Sequence, residues 1–268
     1  MTATAEAKSA TPWQPGLKHA TRLLVGAQPS PSGALELYAG FAVRLEPEWK
    51  TYWRAPGTAG GIPPLFDLSG SENVASHTVQ FPMPNRYVDE TGSTLGYKDN
   101  VVFPILITPA DPSRPVRLRI KALFGVCKTI CIPAEAAHSL TVAPAKLFSI
   151  PPALARAVRA VPPRQNFGET GAPELGVVDA SFQAGKPGTV TIEVEHAKGA
   201  DLPDVFLAPP QGAMFEGLKT TPVSATRTRV SARLPGWIEA SAIRGKPVEI
   251  ALRHGDTTRS VIWTVPAK

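Results

Sequence analysis

Apolar and polar residues alternate along much of the chain. From Leu35 to Leu45 every odd-numbered residue is apolar, and Glu36 and Arg44 fall between them. Because successive side chains of a strand point to opposite faces, this pattern predicts a half-buried β-strand. The same kind of pattern predicts strands at residues 101–108, 116–124 and 138–142, and one or two more within residues 65–81.

A proline-rich segment separates this first group of strands from a second. Six prolines fall between residues 143 and 173, around a short amphipathic stretch at 153–161. Alternation then returns at residues 189–195, 226–234, 247–253 and 259–265. We therefore predict an all-β chain with two antiparallel β-sandwich domains joined by a proline-rich linker. The predicted boundaries are 1–16 for a flexible lead-in, 17–145 for the first sandwich, 146–169 for the linker and 170–268 for the second sandwich, a scaffold or docking module.

The composition is that of a folded β-protein. Of the 268 residues 43% are hydrophobic, which excludes disorder throughout, and the 29 prolines and 22 glycines indicate many short strands joined by turns. Residues 82–99 read as a loop, and loops of this length are often functional. No apolar run reaches the roughly 20 residues of a membrane helix, so we expect no direct membrane insertion. The first 15 residues lack the apolar core of an export signal.

The charge is spread evenly and does not point to a nucleic-acid partner. The net charge is +6, and residues 1–150 and 151–268 each carry 14 basic and 11 acidic side chains. Arg117, Arg119 and Lys121 alternate with apolar residues, which is typical of a solvated strand face. We therefore expect no binding to nucleic acid.

The only two cysteines, Cys127 and Cys131, are the strongest candidate for a functional site. A disulfide needs Cα atoms about 5.5 Å apart, whereas four steps of extended chain cover about 13 Å. The segment between the cysteines must therefore turn. The residues alone leave three interpretations of the pair open: a structural disulfide, a metal site and a redox dithiol.

Each interpretation makes a different demand. A structural disulfide that closes so small a loop would stabilise the fold by only about 2 kcal/mol. A metal site would take Cu(I), the ion that soft sulfur ligands select, and would need Met83 or a histidine as a further ligand. A redox dithiol would use Lys128, next to Cys127, to help stabilise a thiolate. The five histidines show no zinc-like spacing; they are His19, His77, His138, His196 and His254.

An aromatic segment precedes the cysteines in the chain. Trp49, Tyr52 and Trp53 lie in a short stretch that closes at Pro56 and Gly57. These rings could form a platform for a ligand, but packing of aromatic side chains where a strand meets a loop is the favoured interpretation.

Four motifs occur together in the order found in a known family. They are the segment Trp-Lys-Thr-Tyr-Trp-Arg-Ala-Pro-Gly at residues 49–57, Gly-Tyr-Lys-Asp at 96–99, Pro104, and Val-Cys-x3-Cys-Ile-Pro at 126–133. With this set, residues 20–145 resemble the N-terminal periplasmic domain of the DsbD and ScsB protein-disulfide reductases, and ScsB more closely. The resemblance implies an immunoglobulin-like sandwich located in the periplasm. It also implies a cysteine pair that takes electrons from a membrane-embedded thiol donor of the CcdA or DsbD type and passes them to periplasmic thioredoxin-fold proteins, in some relatives as part of copper tolerance.

The resemblance also implies roles for individual residues. Cys131 would form the mixed disulfide with a partner, and Cys127 would resolve it. We expect Cys131 to be the more exposed of the two, because it lies past the turn. In DsbD an aromatic residue and neighbouring acids cap the pair; here Asp89 and Glu90 match the acids, no phenylalanine follows them, and Tyr87 would take the place of the cap. Further supporting residues are Phe124 and Lys128.

The chain departs from DsbD in two further ways. The Cys-x3-Cys spacing is shorter than in DsbD and like that of ScsB, and the sequence contains neither the membrane segment nor the thioredoxin domain of the full-length proteins. We therefore expect a fragment or a standalone module that borrows its electrons.

The resulting hypothesis is a periplasmic thiol-disulfide exchange protein of the protein-disulfide reductase class, which uses no cofactor and no metal. The alternative is a non-catalytic Cu(I)-binding or copper-tolerance interaction module that uses the same Cys127 and Cys131.

Overall fold

The structure is a computed structural model that describes residues 9–30, 33–90, 92–144, 149–170, 174–199 and 201–268. The described part is nearly all β, with nineteen strands, one α-helix and a short 3-10 helix. The chain divides into two compact units. The first takes residues up to Arg54, Gly61–Asn85 and Gly96–Val161, and the second takes Ala55–Gly60, Arg86–Leu95 and Pro162–Lys268.

The N-terminal half of the chain forms two antiparallel sheets. One has the strand order β1-β2-β3-β9-β6, and the other the order β11-β10-β4-β8-β7, with β5 paired to β10. The strands are β1 (Gln14–Gly16), β2 (His19–Pro29), β3 (Leu35–Leu45), β4 (Lys50–Tyr52), β5 (Leu65–Asp67), β6 (Val74–Val79), β7 (Asn85–Asp89), β8 (Gly92–Lys98), β9 (Asn100–Pro109), β10 (Val116–Cys127) and β11 (Cys131–Val142).

The core of the first unit is built by the alternation that the sequence shows. In β10 the even-numbered residues from Val116 to Val126 are buried, whereas Arg117, Arg119 and Lys121 are exposed. These three basic residues therefore lie on the solvated strand face that the sequence predicts. Aromatic rings fill the centre, with Phe41 in edge-to-face contact with Phe124 at a centroid distance of 5.9 Å.

The strand at Leu35–Leu45 has the predicted limits but is buried on both faces, so the prediction of a half-buried strand was wrong. The helix α1 (Pro152–Arg159) covers its second face, where Leu154 packs with Tyr38 and Ala42. Gly40 allows this approach, since a Cβ there would lie 2.7 Å from a methyl carbon of Leu154. The amphipathic stretch of the proline-rich segment is therefore a helix packed on the first unit.

The N-terminal residues that the structure describes are paired, although the sequence suggested a flexible lead-in up to residue 16. The amide of Val25 donates to the Ser9 carbonyl at 2.8 Å, and β1 pairs with β2. Trp13 is held between two guanidinium groups, with Arg22 at 4.5 Å and Arg44 at 4.8 Å from its ring centroid. Cation-π contacts and backbone pairing thus fix a segment whose sequence shows no alternation.

Residues 82–99, which the sequence suggested to be a loop, contain the strands β7 and β8, so that prediction was wrong. The segment is rich in glycine and polar residues, which have low strand propensity. Pairing with β4, distant in sequence, fixes β8 instead, through the register Tyr52↔Gly96. Gly96 permits this pairing, because a Cβ there would lie 2.0 Å from the Thr51 carbonyl oxygen.

The second unit contains two further sheets, with strand orders β12-β19-β18-β15 and β13-β14-β17-β16. Val194, Leu207, Ile250 and Trp263 contribute to one buried apolar cluster. The strands β14, β17, β18 and β19 follow the predicted alternation, whereas β13, β15 and β16 were not predicted. The strands are β12 (Arg164–Gln165), β13 (Leu175–Gln183), β14 (Thr189–His196), β15 (Asp204–Ala208), β16 (Glu216–Ser224), β17 (Arg227–Arg233), β18 (Pro247–His254) and β19 (Thr257–Thr264), and the 3-10 helix is Ala240–Ala242.

Within the residues that the structure describes, no helix has the length and apolar character needed to cross a membrane.

Candidate functional site

The two cysteines form a disulfide at the tip of a long β-hairpin. The strands β10 and β11 pair without interruption from Val116↔Val142 to Cys127↔Cys131. Cys127 and Cys131 are thus directly opposite each other, with Cα atoms 4.2 Å apart. A three-residue turn, Lys128 to Ile130, joins them, and the Lys128 amide donates to the Ile130 carbonyl at 3.2 Å. The predicted turn is present, and both cysteines are ends of strands.

The two cysteine residues differ in their access to solvent. Cys127 is 5% exposed, whereas Cys131 is exposed. This is the difference in exposure that the sequence predicts.

The disulfide lies on the sheet face that points away from the core. Side chains of a strand alternate between faces, so Cys127 shares its face with Arg119 and Lys121 and not with Phe124. Phe124, predicted as a supporting residue, is buried in the core and contacts the ring of His19 at a centroid distance of 5.1 Å. It packs on the core side of the hairpin and does not line the outer face around the disulfide.

The strand register places a lysine next to the buried cysteine. On the side of β10 away from β11, Cys127 pairs directly with Lys50 of β4. Lys50 in turn pairs with Lys98 of β8. One row across the sheet therefore reads Lys98, Lys50, Cys127, Cys131. Lys50 is only 8% exposed, although its neighbour Lys98 is exposed.

The next row of the same face holds Tyr52, whose hydroxyl lies 2.8 Å from Cys131 Sγ. A disulfide sulfur carries no hydrogen, so the tyrosine donates and the sulfur accepts. The ring lies in a slot between two backbone segments. A Cβ on Gly61 would lie 2.2 Å from the ring and one on Gly125 would lie 2.9 Å from it. The two glycines thus hold the ring in place, and the amide of Gly125 also donates to the Ile62 carbonyl at 2.9 Å.

Lys128, which the sequence suggested as a group that stabilises a thiolate, forms an ion pair with Glu48. The hydrogen bond from Lys128 and its positive charge lower the pKa of the Glu48 carboxyl. Both side chains are largely exposed, so this pair is screened by water. The ammonium of Lys128 thus has a carboxylate partner, which reduces the positive field that it presents to the cysteines.

The aromatic segment before the cysteines is buried. Trp49 is 8% exposed, and Tyr52 and Trp53 are each 1% exposed. The rings therefore offer no open platform, which favours the packing interpretation. The guanidinium of Arg54, the residue after Trp53, lies 4.4 Å from the ring centroid of Phe81.

The residues predicted to cap the disulfide lie in the hairpin formed by β7 and β8. Tyr87 is half-buried and Asp89 exposed in β7, and Glu90 lies in the turn that follows. The segment Arg86–Leu95 belongs to the second compact unit. There Arg86 donates to the Val205 carbonyl at 2.7 Å, and its guanidinium lies 4.9 Å from the centroid of Phe206. The capping role stays a prediction from the resemblance.

No group of three or more histidine, cysteine, aspartate or glutamate side chains suited to a metal ion occurs in the described part of the chain. His138 is instead paired with hydroxyls, with Nε2 2.9 Å from Thr21 Oγ1 and Nδ1 3.3 Å from Thr11 Oγ1.

The sequence points to the cysteines but does not reveal that Lys50 and Tyr52 lie beside them. Both lie more than seventy residues from the pair in sequence and reach it only through the pairing of β4 with β10. The signal available in the sequence was Lys-Thr-Tyr at 50–52, where alternation puts residues 50 and 52 on one face of a strand.

Comparisons with known proteins agree with this geometry. Residues 34–143 match the family described as "Thiol:disulfide interchange protein DsbD, N-terminal". The crystal structure of the N-terminal periplasmic domain of ScsB from Proteus mirabilis matches with a TM-score of 0.70 at 22% identity, over 97% of this chain and 99% of that chain. At this identity the match shows a shared fold. Comparison with curated proteins gave no match.

The resemblance noted from the motifs is thus confirmed. Residues 34–143, which include the cysteine hairpin and its neighbouring strands, match the DsbD N-terminal family, in a chain that has the fold of the ScsB N-terminal domain.

Proposed function

We propose that this chain is a periplasmic thiol-disulfide exchange module. Its Cys127/Cys131 dithiol receives reducing equivalents from a membrane-embedded thiol donor and passes them to periplasmic thioredoxin-fold proteins. The description of the ScsB domain that shares the fold supports the periplasmic location in this proposal. Each half of the chain provides an immunoglobulin-like β-sandwich in this proposal, and the second acts as a scaffold or docking module.

The observation that carries the proposal is the asymmetric disulfide at the hairpin tip. Cys131 is exposed and accepts a hydrogen bond from Tyr52, while Cys127 is buried next to it. A structural disulfide would add little to a hairpin that already pairs over its full length. The same geometry suits exchange, because one sulfur is available to a partner and the other is kept close enough to release it.

The reaction transfers two electrons through one mixed disulfide. The Cys131 thiolate attacks one sulfur of an oxidised partner, the partner's S–S bond breaks, and its second sulfur leaves as a thiolate that takes up a proton. The Cys127 thiolate then attacks Cys131, the internal disulfide re-forms, and the partner leaves with both sulfurs reduced. The membrane donor resets the pair by the reverse sequence, in which its thiolate attacks Cys131 and Cys127 leaves.

Trapping with a single-cysteine partner tests this proposal. The probe is a thioredoxin-fold protein whose buried cysteine is serine and whose remaining cysteine carries a thionitrobenzoate leaving group. Cys127→Ser, which retains Cys131, should displace the thionitrobenzoate and form a stable mixed disulfide. Cys131→Ser should react at least tenfold more slowly, because Cys127 is 5% exposed. Mass spectrometry identifies the adduct, and release of thionitrobenzoate gives the rate.

Three results would count against the proposal. Trapping only through Cys127 would reverse the assigned roles, and failure of both variants to react would remove the exchange function. A reduction potential below about −300 mV would also indicate an inert structural bridge. For the copper alternative, anaerobic Cu(I) titration of the reduced protein is the matching test, since a stoichiometric site that disappears in the serine variants would favour it.

A further inference from the structure

The buried lysine beside Cys127 has no place in the exchange reaction as described so far. Lys50 is directly opposite Cys127 in the antiparallel pair of β4 and β10. Side chains of directly opposed residues lie on the same face of a sheet, with Cβ atoms about 4.5–5.5 Å apart. Cys127 thus has Cys131 on one side and Lys50 on the other.

Lys50 is unusual among the lysines near the disulfide. It is 8% exposed, and lysine is among the residues least often buried. Lys128 and Lys98, its counterparts around the site, are exposed, and Lys128 pairs with Glu48. A charge held away from water acts more strongly on its neighbours than a solvated one, because the local dielectric screens it less.

We propose that Lys50 stabilises the Cys127 thiolate and thereby sets the rate of both half-reactions. This inference rests on the proposed exchange function. When a thiolate attacks Cys131, the S–S bond breaks and Cys127 leaves with the electron pair, so negative charge develops on the residue directly opposite Lys50. When a mixed disulfide is resolved, the same thiolate is the nucleophile. The Cys127 thiolate is therefore the leaving group in one direction and the nucleophile in the other.

The geometry divides the two sulfurs between two stabilising groups. Tyr52 donates to the exposed Cys131, and Lys50 lies opposite the buried Cys127. Both residues come from the three-residue strand β4, in which alternation puts positions 50 and 52 on the same face. This short strand therefore supplies a separate partner for each sulfur, and the Lys128 that the sequence suggested is not required for either.

The test measures thiolate formation in the absence of any partner. In a Cys131→Ser background only Cys127 reacts, and the pH dependence of its alkylation by iodoacetamide reports the thiolate fraction. Lys50→Met keeps the length of the side chain and removes the charge. We expect alkylation at pH 7 to be about tenfold slower, because a positive charge on a directly opposed residue favours the ionised form of the thiol. Lys50→Arg keeps the charge and should restore most of the rate.

The matched controls are Lys98→Met, one strand farther from Cys127, and Lys128→Met, in the turn. Each should change the alkylation rate less than threefold. Because the alkylation of a buried thiol also depends on access, the midpoint of the pH profile is the deciding readout, and it should move upward only in Lys50→Met. Lys50→Gln provides a second uncharged variant, and circular dichroism confirms folding.

An unchanged midpoint in Lys50→Met and Lys50→Gln, or an equal shift in Lys128→Met, would overturn the inference. Either result would leave the exchange function intact, since that function is tested by trapping through Cys131. Conversely, a shifted midpoint in a chain that traps no partner would retain the electrostatic role of Lys50 and remove the exchange function.

Discussion

The hydroxyl of Tyr52 lies 2.8 Å from Cys131 Sγ, in a chain where the two residues are 79 positions apart. The contact joins Cys131, the exposed cysteine of the pair, to a tyrosine that is almost fully buried. A buried ring on a short strand has little freedom to move, so we expect the donor to keep its position when the disulfide is reduced. The hydrogen bond is thus preorganised for the negative charge that Cys131 carries once its mixed disulfide with the donor is resolved.

Replacing Tyr52 with phenylalanine should make Cys131 less reactive. The ring still fills its slot, but the donor to the sulfur is lost. Hydrogen bonds to charged groups are worth about 1.5–3 kcal/mol, and 1.4 kcal/mol corresponds to a tenfold change. In a Cys127→Ser background we expect alkylation of Cys131 at pH 7 to slow by roughly tenfold. Stopped-flow or gel-shift alkylation across pH measures this.

Tyr97→Phe is the matched control. Tyr97 is also buried, but its hydroxyl donates to the Pro82 carbonyl at 2.7 Å and its ring contacts Phe103 in the core. This variant should lose a little stability and leave the reactivity of Cys131 unchanged. Equal slowing in both variants would mean that the effect of Tyr52→Phe comes from general loosening of the fold.

The fold was predictable where a strand carries its own pattern. The strands β3 and β10 could be located from alternation alone, because one face of each packs into the core. The strands β7 and β8 could not, since their order depends on pairing with a distant strand and their residues have low strand propensity. The same holds for the second face of β3, which is buried by a helix more than a hundred residues later.

The site divides in a similar way. The only two cysteines, separated by three residues, are recognisable as a candidate site from the sequence. The family resemblance predicts which of the two reacts first with a partner. Lys50 and Tyr52 could be found only after the register of β4 against β10 was known. The sequence suggests Lys128 as the group that stabilises a thiolate because it follows Cys127 in the chain. Its ion pair with Glu48 depends on the fold and cannot be read from that adjacency.

Substituting Gly61 with alanine should destabilise the protein and displace Tyr52. A Cβ at this position would lie 2.2 Å from the ring, and the backbone has a φ of +139° that side chains rarely adopt. Overpacking of this kind costs about 1–3 kcal/mol. We expect a melting temperature several degrees lower, together with slower alkylation of Cys131, because the hydroxyl moves with the ring.

Gly60→Ala separates the cost of the positive φ from the cost of the clash with the Tyr52 ring. Gly60 also has a positive φ, of +72°, but a Cβ there would meet nothing within 4 Å. This control should show the backbone cost alone and leave the reactivity of Cys131 unchanged. A loss of stability in Gly60→Ala as large as that in Gly61→Ala would contradict the role of the tyrosine slot.

Reduction of the disulfide should lower stability only slightly. The loop that it closes is small, so the chain-entropy contribution is about 2 kcal/mol, and the hairpin pairs along its whole length without it. We expect the melting temperature to fall by a few degrees in a phosphine reductant, as measured by calorimetry. The Cys127→Ser/Cys131→Ser double variant, which the reductant cannot change, is the control. Unfolding on reduction would return the disulfide to the structural class.

Stability should decrease as the pH falls below neutral, through the buried imidazole of His138. Burial lowers the pKa of His138 from its usual 6.5, so the unfolded chain takes up a proton at a higher pH than the folded chain does. The stabilisation is therefore complete above about pH 6.5 and is lost as the pH falls through the lowered pKa of the folded state. Both hydroxyls near the ring can accept a hydrogen bond, so the cost lies in burying the charge and not in losing a bond.

Melting temperatures measured between pH 8 and pH 5 test this in three proteins. The wild type should lose stability across the acidic range, and His138→Gln should lose less of it, because glutamine can hydrogen-bond the same hydroxyls of Thr11 and Thr21 without titrating. His77→Gln removes a solvent-exposed histidine and should follow the wild type. If His138→Gln and the wild type lose stability in parallel, the acid sensitivity arises from other groups. Protonation of His138 then does not weaken its contact with Thr11 and Thr21.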